Sequence, residues 1–267
     1  MTPATLRELS STGQFDRPTA GLCEGYIQAN LVVLPEEYAQ DFETFCRKNP
    51  KPCPLLEVVG PGRCTTTLLA DGADLRTTLP RYTVWHNGIA SGSIRDISKL
   101  YREEFVFFLL GCSFSFESAL VQAGIRLRHI EERKNVSMYD TAIELEPVES
   151  FRGNMVVSMR PIIYDNVVDA CLITAHYPDL HGAPVHIGYP ELIGITNVLS
   201  PDYGDPVDIR PNEIPVFWAC GVTPQNVLRQ AKLPFAITHT PGHMFVGDVK
   251  NETLYVETFP RESKRKL

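Results

Sequence analysis

Proline and glycine punctuate this chain at short intervals, the pattern of many short elements joined by tight loops. The 21 prolines and 18 glycines are spread over 267 residues. Each either removes a backbone donor or admits a turn, so the chain is expected to break into such elements. Its longest apolar run, residues 105–110, falls far below the roughly 20 residues of a membrane-crossing helix. With 43% hydrophobic residues, it can bury a sizeable core, either as one large domain or as two intimately joined ones.

Between these breaks the apolar spacing alternates. Residues 35–48 predict a helix: Pro35 suits its first position, Glu36 and Glu37 favour the positive end of the dipole, and Tyr38, Phe42 and Phe45 form a stripe. Residues 55–59 and 82–86 read as strands. Residues 99–110 have helical spacing, with Tyr101, Phe105, Phe108 and Leu109 on one side, and 115–123 read as a second helix closed by Gly124. Strands are expected over 125–130 and 154–160, then a helix between Tyr164 and Tyr177. A strand over 216–220 runs into Thr223 and Pro224, which open a helix ending near Lys232. Strands over 235–238 and 244–249 complete the pattern. The fold class expected is α/β, a mixed sheet with helices on its faces plus a smaller inserted α+β lobe. The main domain is expected over 1–128 and 201–267, and the lobe over 129–200.

Charge and cysteine usage narrow the partners. A net charge of -7 disfavours nucleic acid, which selects a basic face able to displace phosphate counterions. The one basic cluster, 261–266, reads as a solvated terminus. Seven cysteines without a C-x-x-C spacing suggest reduced thiols, and residues 1–10 lack the apolar core of a secretory signal, so a cytoplasmic location is expected. No membrane partner is expected, and homo-oligomer formation is left open.

Four stretches carry candidate chemistry. Gly111-Cys112-Ser113-Phe114-Ser115-Phe116-Glu117 lies at a helix start, where free N–H groups with the Ser113 and Ser115 hydroxyls can receive a carboxylate. Equally, one serine can be a cap, Cys112 buried filler and Glu117 a complement to the dipole. In His181-Gly182-Ala183-Pro184-Val185-His186-Ile187-Gly188, Gly182 and Pro184 rule out a helical zinc pair. Alternation there sends His186 to the face opposite Val185 and Ile187. His239 and His243 repeat the design around Pro241-Gly242 at a strand end, a usual place for ligands. Pro201-Asp202-Tyr203-Gly204-Asp205-Pro206 offers carboxylates, yet ligand spacing is lacking and no metal is expected.

Together with Gly25–Pro35, Asn49–Leu56, Val216–Gln225 and Thr238–Phe245, these motifs resemble the D-glutamate cyclase family, over roughly Gly21 to Asp248. The resemblance implies a two-part α/β fold, no cofactor, and a small carboxylate partner: D-glutamate converted to 5-oxo-D-proline with loss of water. Tyr189 and Ser137 depart from the family pattern, which bears on substrate more than fold. Ring closure needs proton carriers, for which His181, His186 and His243 qualify, and an acid, for which Glu117 qualifies if Phe114 and Phe116 raise its pKa. Cys112 ranks below these as a nucleophile. Gln28, Asn30, Ser113, Ser115 and Arg160 are the expected donors to substrate, with Tyr203, Asp205 and His239 as further contacts. The competing readings are a hydro-lyase acting on a different small acid and a non-catalytic binder of small carboxylates.

Overall fold

The computed structural model describes residues 1–257; the basic cluster over 261–266 lies outside the described residues. In chain order the strands are β1 (Tyr26–Pro35), β2 (Leu55–Val59), β3 (Tyr82–His86), β4 (Ile89–Ile94), β5 (Phe105–Gly111) and β6 (Ser137–Glu144). There follow β7 (Asn154–Ile163), β8 (His186–Ile187), β9 (Glu213–Ala219), β10 (Ala236–His239) and β11 (Phe245–Lys250). The helices are α1 (Pro3–Ser11), α2 (Glu36–Lys48), α3 (Phe114–Gln122), α4 (Arg128–Glu131), α5 (Val167–Ala175) and α6 (Thr223–Ala231). The architecture is mixed α/β. One sheet runs β2-β5-β1-β10-β3-β4 with β11 also on β1, the other runs β6-β7-β9-β8, and the pairings are antiparallel. The 129–200 segment holds β6, β7 and β8, but their sheet also takes in β9 from beyond residue 200.

The central strands of the first sheet are covered on both faces, and this explains the main departure from the sequence reading. Residues 99–110 are expected to be helical, yet 105–111 form β5, all of it buried. Phe105, Phe107 and Leu109 enter one core while Val106, Phe108 and Leu110 enter the other. A strand buried on both faces shows a continuous apolar run rather than alternation, and such a run can imitate a helical stripe. β1, which the sequence reading leaves unassigned, divides in the same way. Leu31 and Val33 face the first core, Val32 and Leu34 the second. Residues 125–130, expected as a strand, instead lead into the short helix α4. The helices expected over 35–48 and after Thr223 form, with Glu36 and Glu37 in the first turn of α2 and Pro224 near the start of α6. Thr223 does not cap α6 with its side chain; its hydroxyl receives the Val156 amide at 3.0 Å.

Each core draws on both sheets. The first combines Leu31, Phe107 and Leu109 with Ile162, Val216 and Trp218. Phe116 and Leu120 of α3 and Ala170 of α5 complete it. In the second, Phe42 and Phe45 of α2 meet Phe108, Phe217 and Val227. Polar groups carried on the first-core side of β7 are therefore held against α3 in a nearly water-free interior.

Candidate active site

Antiparallel pairing decides which of the expected polar groups can meet. Residues opposite each other in a ladder share a face. Arg160 of β7 pairs with Val216 of β9, a first-core residue, so its side chain points toward α3. There its Nε donates to Glu117 Oε1 at 3.0 Å and its Nη2 to the same oxygen at 2.5 Å. Nη2 also donates to Ser113 Oγ and Nη1 to Ser158 Oγ, each at 3.0 Å. The guanidinium carbon lies 5.4 Å from the ring centres of both Phe116 and Trp218, which fix it by cation–π contact. Arg160 is 0% and Glu117 2% exposed, a depth at which charges persist only if paired and hydrogen-bonded.

The pairing is unequal between the two oxygens of Glu117. His129 Nε2 lies 3.0 Å from Oε1, at ion-pair distance but outside hydrogen-bond geometry. Oε1 thus faces both Arg160 and His129, whereas Oε2 is buried with no partner. Burial alone would push the carboxyl up, but the charges of His129 and Arg160 outweigh it and hold the pKa at about 2. The expectation of a raised pKa and a general-acid role for Glu117 is corrected here: Arg160, far away in sequence, reverses the shift that Phe114 and Phe116 would produce. At neutral pH Glu117 is an anion.

Glu117 also lines a cavity of about 120 Å³ with Phe114, Gln28, Ser118, Gly25 and Asn251. Its walls are tied to the network. Ser115 Oγ accepts the Gln28 amide at 2.7 Å, and the Gln28 side chain donates to the carbonyls of Thr19 and Leu22 at 3.1 Å each, pinning the loop beside the cavity. Asn251 Nδ2 donates to the Ser115 carbonyl at 2.5 Å, while Asn251 Oδ1 is buried without a partner.

The remaining expected residues divide by position. Asn30 donates to the Gly111 carbonyl at 2.6 Å, and a Cβ at Gly221 would stand 1.9 Å from its amide nitrogen, so the turn that follows β9 admits only glycine at that position. His181 is fully buried, has φ 80°, and its Nδ1 lies 2.8 Å from the Lys51 carbonyl. Its turn packs onto the end of β5, where a Cβ at Gly111 would meet the Asp179 carbonyl at 1.9 Å. Burial lowers the His181 pKa to about 4, and does the same to His239, whose Nδ1 lies 3.2 Å from the Leu31 amide nitrogen. Both imidazoles are neutral at pH 7. Cys112 is buried, and desolvation pushes its thiol far up, so it is not a ready nucleophile.

The last four expected residues, like Asn30, His181 and His239, make no bond to Glu117 or Arg160. His186 pairs with Phe217, a second-core residue, and therefore faces away from Arg160; its Nε2 is 2.9 Å from the Tyr189 carbonyl. The alternation around His186 holds, but it directs the ring to the other face. Tyr203 reaches Asp140 and Arg229. Asp205 is exposed and accepts the Asn135 amide at 2.8 Å. His243 is half-buried with Nδ1 3.0 Å from the Pro241 carbonyl, and burial lowers its pKa. The structure adds two residues that sequence reasoning passes over, His129 and Ser158. The Arg128–Glu131 spacing of three was the available sign that His129 sits on a helical turn rather than a strand.

Among the described residues, no group of three or more His, Cys, Asp or Glu side chains is placed to hold a metal ion. Nor is any described helix long and apolar enough to cross a membrane.

The family model for D-glutamate cyclase matches residues 106–248, the span that contains Ser113, Glu117, His129 and Arg160. The chain belongs to the D-glutamate cyclase family. It is 50% identical to a protein of Stutzerimonas stutzeri named "Putative hydro-lyase", over 96% of this chain and 97% of that one. A Geobacillus kaustophilus protein of the same description is 52% identical with the same coverage. A third, from Thermoanaerobacter sp., is 52% identical over 94% of this chain and 95% of its own.

Proposed function

We propose that this protein is a hydro-lyase that closes D-glutamate to 5-oxo-D-proline, releasing water. Family membership and the shared description of the relatives support the reaction class. The observation that carries the site assignment is that Glu117, a residue lining a cavity, holds a buried carboxylate oxygen, Oε2, with no partner. A buried acceptor without a donor raises the free energy of the empty protein by about 1–3 kcal/mol, and a ligand ammonium relieves that penalty with a charge-assisted bond.

In the reaction the substrate ammonium first gives one proton to His129, which exposes its lone pair, and the nitrogen then attacks the side-chain carboxyl carbon and gives up a second proton. A C–N bond forms, a C–O bond breaks, and the departing oxygen leaves as water carrying those two protons. Glu117, ionised at neutral pH, binds and orients the ammonium rather than supplying protons. His129, next to Glu117, is the assigned proton carrier. Ser113 accepts from Arg160, so its own O–H remains free to donate to oxygen charge that builds up as the ring closes.

The test is incubation with D-glutamate, L-glutamate and a set of small D- and L-amino and hydroxy acids, followed by chiral chromatography and mass spectrometry. The reading predicts 5-oxo-D-proline from D-glutamate at a rate set by enzyme concentration. Water loss from a different acid would replace the substrate, and no water loss from any of them would overturn the enzyme reading.

A further inference from the structure

The cavity at Glu117 adjoins a second one of about 250 Å³, and the two share Gly25, Ser118 and Asn251. The second adds Lys250, with Glu252 beside it. Asn251 is 5% exposed, and its Oδ1, like Glu117 Oε2, is a buried acceptor with no partner. The smaller, inner chamber is thus lined by two residues that each hold an unsatisfied buried acceptor, one of them charged, while the larger, outer chamber carries an ammonium group. Lys250 Nζ is stationed 3.6 Å from the Tyr26 ring centre, which limits its wandering. A cavity of about 150 Å³ is filled by a single benzene, so the smaller inner chamber cannot enclose a whole amino diacid. A ligand of that kind must extend past Asn251 into the outer chamber.

We infer that Asn251 and Lys250 are substrate-orienting residues. An α-ammonium is held in the inner chamber by Glu117 Oε2 and Asn251 Oδ1, and the neighbouring α-carboxylate is turned outward to Lys250. Two anchors on one carbon fix how the side chain leaves it, and the non-reacting carboxylate is kept away from the anion of Glu117. The proposal rests on the hydro-lyase reading for the identity of the reactant, but the binding mode is tested without turnover.

Calorimetric titration of the full chain compares D-glutamate, glutarate, which lacks the ammonium, and γ-aminobutyrate, which lacks the α-carboxylate, on wild type and Lys250→Met. Lys250 is exposed, so its replacement leaves the core intact. D-Glutamate is expected to bind at least about tenfold more tightly than either analogue. Lys250→Met is expected to weaken D-glutamate about tenfold, to the level of γ-aminobutyrate, and to leave γ-aminobutyrate unchanged. If turnover is present, KM rises by the same factor and kcat moves less. Asn251→Asp adds an inner negative charge and should tighten γ-aminobutyrate binding. Equal affinity of glutarate and D-glutamate, an unaltered D-glutamate affinity in Lys250→Met, or no D-glutamate binding at all would each overturn the inference. Binding that follows the predicted pattern without product would instead count against the proposed reaction alone.

Discussion

Glu57 and Glu117 are both buried carboxylates held in the ionised state, but their oxygens are used differently. Around Glu57, Oε1 accepts the Thr67 amide at 2.8 Å and the Leu68 amide at 3.2 Å, while Oε2 accepts the Thr66 hydroxyl and the Leu69 amide. Burial pushes its pKa up, but these donors prevail and lower it. Every lone-pair direction has a use, and the result is a clamp on the 66–69 loop. Glu117, which lines a cavity, concentrates its partners on Oε1 and leaves the buried Oε2 without one. A saturated carboxylate marks a structural joint, whereas a half-used one that costs stability marks a place where a ligand completes the bonding.

The comparison breaks most sharply on glutamine substitution. Glu117→Gln leaves the Arg160 charge uncompensated, so turnover of D-glutamate should fall on the order of 10²-fold or more, with about 3–5 kcal/mol lost from stability. Glu57→Gln should lose about 1–3 kcal/mol through its mismatched donors and keep the kcat of the folded fraction within about twofold. Steady-state rates and urea denaturation on both variants check this. If the two behave alike, the distinction between clamp and site disappears.

Replacing both members of the Glu117–Arg160 pair sharpens the same contrast. Glu117→Met with Arg160→Met should recover at least half of the stability lost by either single change, because an apolar pair avoids the desolvation of two charges. Its activity should stay lost. Recovery of both stability and turnover would remove the pair from the chemistry.

Acid exposes a smaller effect, centred on the buried histidines. His181 and His239 have folded pKa values near 4 against an ordinary 6.5. The unfolded chain therefore binds more protons over that window, and stability is lost as pH falls from about 6.5 to about 4. Glu117 adds to the loss only from about 4.5 down to about 2. Melting temperatures from pH 7.5 to 4 should fall, and His239→Gln should flatten the slope. A slope unchanged in that variant would contradict the neutral buried state of His239. Smallest of all, His186→Ala on the far face should change kcat by no more than about twofold; a hundredfold loss would return His186 to the mechanism.

Part of the candidate network around Glu117 was legible in the sequence because its backbone signals are local. Gly111, Ser113 and Glu117 announce a helix start, and Asn30, Gln28 and Arg160 stand out as polar residues in apolar strands. What stayed hidden needs the third dimension. β5 imitates a helix because two cores want every one of its residues. His186 alternates as expected, but only its pairing with Phe217 says which face it serves. The ionisation of Glu117 was misjudged from its phenylalanine neighbours, since no spacing rule connects it to Arg160 on β7 or reveals His129 on α4. The fold class follows from punctuation and periodicity, whereas charge states follow from long-range contacts.

The most direct measurement is a crystal structure of the protein with D-glutamate bound to the Ser113→Ala variant, in which turnover is expected to be slowed on the order of 10²-fold while Glu117, Asn251 and Lys250 stay in place. The account predicts the ligand nitrogen within about 3 Å of Glu117 Oε2, in the cavity bordered by Phe114 and Asn251. A ligand seated elsewhere, for example in the larger cavity lined by Lys51, Asp179 and His181, with Glu117 Oε2 still unpartnered, would contradict it.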